Sequence, residues 1–393
     1  PMSCHRRGIK RVVAGLAKSG VILVSARDPS AALALVPVVR HLAGLSTVTV
    51  HVVAQNPAYE IFQKESLNVV QVQSAPLNHR DDGGAAELLA EAREILDKVQ
   101  PDVLLAGLSS PGIGIDEALL AHAGDIPSYS IQDPPGYIVP GFDSRARTQF
   151  VAGIDFLESE ETARCIDIGP PQVERYRALH PEQLAQQWRQ AMGCHGTTAV
   201  LFGQPLNQEP GYRNSLCAAV SALRDLADPV IDHVVYRAHP KENKVDRANT
   251  LAALNDAAGT IVHEDPLALA VEGPLCGCDL VISCYSTIST DLIYLNRVAK
   301  DPLGGAVHLL FEADMVRLCA VGGLTKGPWS VQHGFGQGVY EVSQLSVALQ
   351  TAASLTERRM CWERARALTV PDRDPSSVVV ETILSDLSQG YAQ

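Results

Sequence analysis

Aromatic side chains are scarce in this sequence, at 5% of residues, and charged ones make up only 19%. Hydrophobic residues reach 46%, carried by Ala, Val and Leu, which excludes a disordered chain because disorder needs high charge and few aliphatics. No run of about 18 uninterrupted apolar residues occurs, so nothing reads as a membrane-spanning helix. The first residues have no signal-peptide layout, and the basic stretch Arg6-Arg7-Gly8-Ile9-Lys10-Arg11 reads as a solvated end. An excess of positive charge is missing too. The formal charge of −12 argues against a general nucleic-acid or membrane-surface binder, which needs a positive face to meet phosphate, and leaves room for a local basic pocket. The nine cysteines are odd in number and mostly lie in apolar stretches, which excludes a dense disulfide scaffold and fits a reducing cytoplasm.

What is present is a rhythm. A chain of 393 residues has room for two domains of roughly 150 to 200 residues each. Near-continuously apolar runs at Val21 to Ser25, Val48 to Ala54, Val69 to Gln73, Val103 to Ala106 and Ser128 to Ile131 predict strands covered on both faces. Helical patterns at Ala31 to Leu42, Tyr59 to Glu65, Ala85 to Val99 and Ile115 to Ala123 fall between them, and Pro37 predicts a kink in the first. The alternation restarts after Gly193. Strands are expected at Ala199 to Phe202, Val230 to Tyr236, Thr260 to His263, Leu280 to Ser283 and Val307 to Leu310. Helices are expected at Tyr212 to Leu226, Asp246 to Ala257, Ser286 to Asn296 and Glu312 to Leu318. The fold class is therefore α/β, with two tandem Rossmann-like parallel-sheet domains. The expected division is an N-terminal domain over 1–170, a C-terminal domain over 171–375, and a C-terminal helix over 376–393 that packs on either.

Three pieces place polar groups directly after a buried strand, where ligands collect in open parallel sheets. Tyr285-Ser286-Thr287 follows a strand and opens a helix, so its hydroxyls and the first orphan N–H groups suit a phosphate. Ser286 or Thr287 is also a plain candidate for an N-cap. His239-Pro240 ends another strand, with Arg237 before it and Lys241 after it; the proline fixes the turn and holds the imidazole at the strand's carboxyl end. Asp133 ends a strand of the first half before the stiff turn Pro134-Pro135-Gly136, and reads either as a general base for an acceptor hydroxyl or as an Asx-type turn residue.

In that order, an acidic-Gly piece, His-Pro and paired hydroxyls, the chain resembles bacterial sialyltransferases and polysialyltransferases, which have the two-domain GT-B fold. Gly203-Gln204-Pro205-Leu206 is similar to a segment of the lipooligosaccharide sialyltransferase group. The resemblance implies that Asp133 is the catalytic base, that His239 contacts the donor phosphate and assists the departing nucleotide, and that Ser286 and Thr287 bind that phosphate. It covers some 60 residues. The acidic pair of the family's first motif is Gln132-Asp133 here, with the glycine displaced by two prolines, while Asp81-Asp82-Gly83-Gly84 spells that motif better but follows no convincing strand. The His-Pro and Ser/Thr pieces are equally similar to those of wall-polymer glycerophosphotransferases, and the tandem fold to UDP-N-acetylglucosamine 2-epimerases.

Other signals are weaker. Gly334-Phe335-Gly336-Gln337-Gly338 lacks the preceding strand of a dinucleotide fingerprint and is expected to be a loop. Cys276-Gly277-Cys278 with Cys284 has no second ligand cluster, which argues against zinc. His263-Glu264 ends a further strand and is a candidate base pocket. The expectation is a cytoplasmic, metal-independent glycosyltransferase moving a sugar from a CMP- or UDP-sugar to a small-molecule or glycan acceptor, with the nucleotide-sugar as substrate and no cofactor. Gly203, Gln204, Arg237, His239, Lys241, Ser286 and Thr287 are its expected donor contacts. The alternatives are a nucleotide-sugar 2-epimerase or hydrolase of the same fold, or a non-catalytic nucleotide-sugar-binding protein.

Overall fold

The computed structural model describes residues 20–77, 82–109, 112–132, 142, 145–152, 165–169, 176–228, 230–266, 269–321, 327–368 and 373–390. Its contacts divide the chain into two units, one of 1–174 with 370–393 and one of 175–369.

In the first unit the elements run β1 (Gly20–Ala26), α1 (Pro29–Ala43), β2 (Val48–Ala54), α2 (Ala58–Lys64), β3 (Val70–Gln71), α3 (Ala85–Val99), β4 (Val103–Leu108), α4 (Ile115–His122), β5 (Ser128–Gln132), β6 (Thr148–Val151) and β7 (Cys165–Asp167). The seven strands pair in the order β3-β2-β1-β4-β5-β6-β7, every pair parallel. All six residues of β4 are buried, as a strand with helices over both faces requires. Pro37 lies inside α1, which runs through it as one helix from Pro29 to Ala43. The core under α1 takes Leu35, Val39 and Leu42 together with Val379, Val380, Ile383 and Leu384 of the terminal helix Pro375–Gly390, so that helix belongs to the first unit. Each such aliphatic side chain contributes about 1.5–3 kcal/mol when fully buried.

The second unit runs α5 (Pro181–Met192), β8 (Thr198–Phe202), α6 (Pro210–Arg224), β9 (His233–Arg237), α7 (Lys244–Ala258), β10 (His263–Glu264), α8 (Glu272–Gly277), β11 (Leu280–Ser283), α9 (Ile288–Val298), β12 (Gly305–Leu309), α10 (Ala313–Val321), α11 (Trp329–Gln332), β13 (Gln337–Val339), α12 (Leu345–Ala353) and α13 (Leu355–Ala367). The terminal helix is α14. The sheet order is β10-β9-β8-β11-β12-β13, again all parallel. Local chemistry sets the helix ends. Asn243 caps α7 by accepting from the amides of Val245 (3.0 Å) and Asp246 (2.9 Å), and Gly259, at φ 64°, closes it in the left-handed conformation glycine tolerates.

The glycine-rich piece after His333 is not a loop throughout: Gln337–Val339 pairs with β12 as the sheet's edge strand. A Cβ on Gly338 would stand 2.9 Å from Tyr340 and from Val331, so packing there, rather than phosphate binding, requires glycine. No described helix is long and apolar enough to cross a membrane.

Candidate functional site

In the second sheet the chain leaves β8 toward β9 on one side, and β11 lies on the other. The strand order therefore reverses between β8 and β11, and loops leaving two such strands part to form a crevice at their carboxyl ends. The Gly203-Gln204 and Cys284-Tyr285-Ser286-Thr287 segments are these loops.

They are tied to each other. The Gln204 side-chain oxygen accepts from the backbone N–H of Cys284 at 3.1 Å and of Tyr285 at 3.2 Å, and Gln204 is buried. Its own N–H donates to the Tyr212 hydroxyl at 2.7 Å. On the other side the Gly203 N–H donates to the Arg237 carbonyl at 2.8 Å, joining the same loop to the end of β9.

Beyond the crevice α9 begins. Thr287 occupies its N-cap position without a side-chain cap bond, and the Ser286 hydroxyl accepts from the Ile288 N–H at 3.3 Å. The N–H groups of Ser286, Thr287 and Ser289 find no acceptor among the described residues. Donors left over at a helix N-terminus, with the positive end of the helix dipole behind them, suit an anion. Ser286 is half-buried and Thr287 exposed, so both are open to solvent. Asp291, also in the first turn, accepts from the Tyr176 hydroxyl at 2.6 Å.

The His-Pro turn is braced by Glu242, which belongs to the same motif and which sequence reasoning left without a role. Its carboxylate accepts from the His239 N–H at 2.6 Å, from the Tyr236 hydroxyl at 2.8 Å and from the Asn207 amide at 2.9 Å. Lys241 N–H donates to His239 Nδ1 at 3.1 Å, so a neutral ring carries its proton on Nε2. His239 is half-buried and Lys241 exposed.

Arg237 has a different place from the one its position beside His239 predicts. It is buried, ion-paired with the fully buried Asp265, and donates to the Leu269 carbonyl at 2.7 Å. Asp265 also accepts from Trp188 Nε1 at 2.9 Å. This guanidinium anchors the segment after β10 through its protein partners. His263 and Glu264 stand on β10 at the sheet edge, two strands from β8, with His263 exposed and Glu264 paired to Arg247.

In the first unit Asp133, Pro134, Pro135 and Gly136, and likewise Asp81, lie outside the described residues. Asp82 lies in the turn before α3, its carbonyl accepting from the Ala85 N–H at 3.0 Å. The first sheet also reverses its order, between β1 and β4, and there the sequence hides a charged cluster. Arg27 is buried, paired with Asp28 and with Glu117, and donates to the Gly112 carbonyl at 2.9 Å. Glu117 closes the start of α4 by accepting from the Gly114 N–H at 2.7 Å. Asp116 is fully buried, beside Ser25 and Glu117. Burial foremost, with Glu117 adding to it, pushes its carboxyl well above the usual carboxylate range. No signal beyond the paired Asp-Glu at a helix start pointed to this cluster.

No protein-family model matches the chain, and no curated protein matches it by sequence. Solved structures do match it in three dimensions. The UDP co-structure of MnaA from S. aureus superposes with a TM-score of 0.65 at 13% identity, over 94% of this chain and 97% of that one. UDP-GlcNAc 2-epimerase from Neisseria meningitidis, bound to UDP-GlcNAc, gives 0.58 at 14%, over 93% and 99%. MurG of Acinetobacter baumannii gives 0.56 at 13%, again over 93% and 99%. At such identities the likeness shows the fold: α/β, with two Rossmann-like parallel-sheet units of the GT-B type.

Proposed function

We propose that the amino end of α9 holds the phosphates of a pyrimidine nucleotide-sugar and that the protein transfers the sugar to an acceptor hydroxyl or a comparable nucleophile. One observation carries this reading: three amides with no acceptor among the described residues sit directly beyond the strand-order reversal, on a loop locked by Gln204. The structural neighbours named for UDP and UDP-GlcNAc support it.

In the transfer, the acceptor oxygen bonds to the anomeric carbon while the bond from that carbon to the phosphate oxygen breaks. The electron pair leaves with the nucleotide, and the acceptor proton passes to a base, for which Asp133 is the candidate. His239, protonated at Nε2, donates to the departing phosphate, and the helix N-terminus stabilises the charge that develops there. Ser286 and Thr287 supply hydroxyls to the same phosphate, and Lys241 adds positive charge at the rim. Asp291 sets a limit: its carboxylate repels an anion seated deeper along the helix.

The test is nucleotide release from UDP-GlcNAc and from a CMP-sugar, each with and without a panel of acceptors. Release that requires an acceptor, and that falls at least a hundredfold in Asp133→Asn and His239→Ala, supports transfer. Binding of neither donor contradicts it. The likeness to a UDP-GlcNAc 2-epimerase favours a second reading, in which the same site cleaves or epimerises the donor. Nucleotide release from donor alone, with a changed free sugar, identifies that reaction.

A further inference from the structure

The loop between β11 and α9 is gripped from a second direction, by a residue that no reading of the sequence singled out. His308 lies in β12, opposite Ser283 in the parallel register, and is fully buried. Its Nδ1 is 3.0 Å from the Cys284 carbonyl oxygen, and its Nε2 is 2.9 Å from the Ser330 hydroxyl and 3.1 Å from the Ser289 hydroxyl. The two hydroxyls are 2.8 Å apart.

This geometry fixes the protons. A carbonyl oxygen only accepts, so Nδ1 must carry the hydrogen. Nε2 is then the acceptor, with one lone pair. One serine donates to it and the other donates to its neighbour, so every buried polar atom of the cluster has a partner. Burial drives the ring toward the neutral form this pattern needs.

The placement matters because of what lies between the contacts. Cys284 immediately precedes the turn and Ser289 ends it, and the amides of Ser286, Thr287 and Ser289, which find no acceptor among the described residues, lie in that interval. Gln204 holds the Cys284 N–H, and His308 holds the Cys284 carbonyl of the same residue. Ser330 adds α11 to the clamp. We infer that His308 is a positioning residue: it sets the spacing and direction of the α9 amides, so that they meet a phosphate without rearranging. This rests on the phosphate site proposed above and assigns how that site is preorganised, the factor on which electrostatic stabilisation depends. His308 touches no ligand itself.

The test uses the full chain and calorimetric titration with two probes, UDP and uridine, which differ only in the phosphates. The wild type is expected to bind UDP at least tenfold more tightly than uridine. In His308→Leu the Cys284 carbonyl loses its partner and the two serines keep only each other, and the UDP preference is expected to fall at least fivefold while uridine affinity holds. His308→Asn, whose amide can take the place of Nδ1, is expected to recover most of the preference. Ser330→Ala, which keeps the ring and removes one hydroxyl, is expected to lose about twofold, and it decides the question with His308→Asn if His308→Leu does not fold. An unchanged UDP-to-uridine ratio in the folded variants overturns the inference and leaves the phosphate site standing. A wild type that binds UDP no better than uridine overturns both.

Discussion

The Gln204 side-chain oxygen accepts the Cys284 amide at 3.1 Å across the point where the second sheet reverses its order, so two loops far apart in sequence share one fixed geometry. Replacing Gln204 by Leu leaves the Cys284 and Tyr285 amides without an acceptor, at about 1–3 kcal/mol each if they stay buried. Gln204→Glu keeps an acceptor oxygen for both amides but adds a negative charge beside the proposed phosphate. We expect Gln204→Leu to lower both the melting temperature and UDP affinity. Gln204→Glu is expected to melt near wild type and bind UDP at least tenfold more weakly; thermal unfolding and calorimetry on the same samples separate the two effects.

Gly203 makes room for a buried polar pair. A Cβ there would stand 2.7 Å from the Tyr236 hydroxyl and 2.8 Å from Glu242 Oε2. Those two atoms belong to the brace that holds the His239 amide. Gly203→Ala is expected to cost about 1–3 kcal/mol through overpacking, with a loss of turnover larger than the same destabilisation elsewhere produces. Equal stability and equal activity in the alanine variant would contradict this placement.

Asp265 answers Arg237 in the interior. Removing it strands a buried guanidinium and the Trp188 indole N–H, and breaking one side of such a pair costs about 3–5 kcal/mol. Asp265→Ala is therefore expected to unfold the second unit at markedly lower denaturant. Trp188 fluorescence, reporting from the contact itself, follows the change.

His308 links stability to pH. Its folded value is pushed down to about 4 by burial, against an ordinary imidazole near 6.5. The unfolded chain therefore takes up a proton that the folded one refuses. The contribution is complete above pH 6.5, declines as the pH falls toward about 4, and levels off below that. Denaturation of wild type and His308→Asn between pH 7 and about 4 is expected to show a shallower slope in the variant; parallel slopes would contradict the shift.

Central strands were legible because helices cover both their faces, so β1, β4, β8 and β11 are almost wholly apolar in sequence. Two of the four edge strands were not. Cys165–Asp167 and Gln337–Val339 are short, mixed in polarity and half-buried for the most part, since a single neighbour holds them in the sheet. The same contrast runs through the site. Gly203, Gln204, His239, Ser286 and Thr287 stand right after buried strands, where position alone marks them. Arg237 shares that position, yet its partner lies 28 residues on, and only the fold reveals that the pair closes. His308, a lone histidine in an apolar strand, reads as core in any linear pattern, and its three polar contacts come from the strand packing that sequence does not display.

The account stands on a phosphate held by the α9 amides, and a crystal structure of the protein with UDP tests that most directly. The predicted result is a phosphate oxygen about 2.7–3.2 Å from the backbone nitrogens of Ser286 and Thr287, with the Gln204 and His308 contacts to Cys284 unchanged. UDP seated elsewhere, with water alone on those amides, would contradict it.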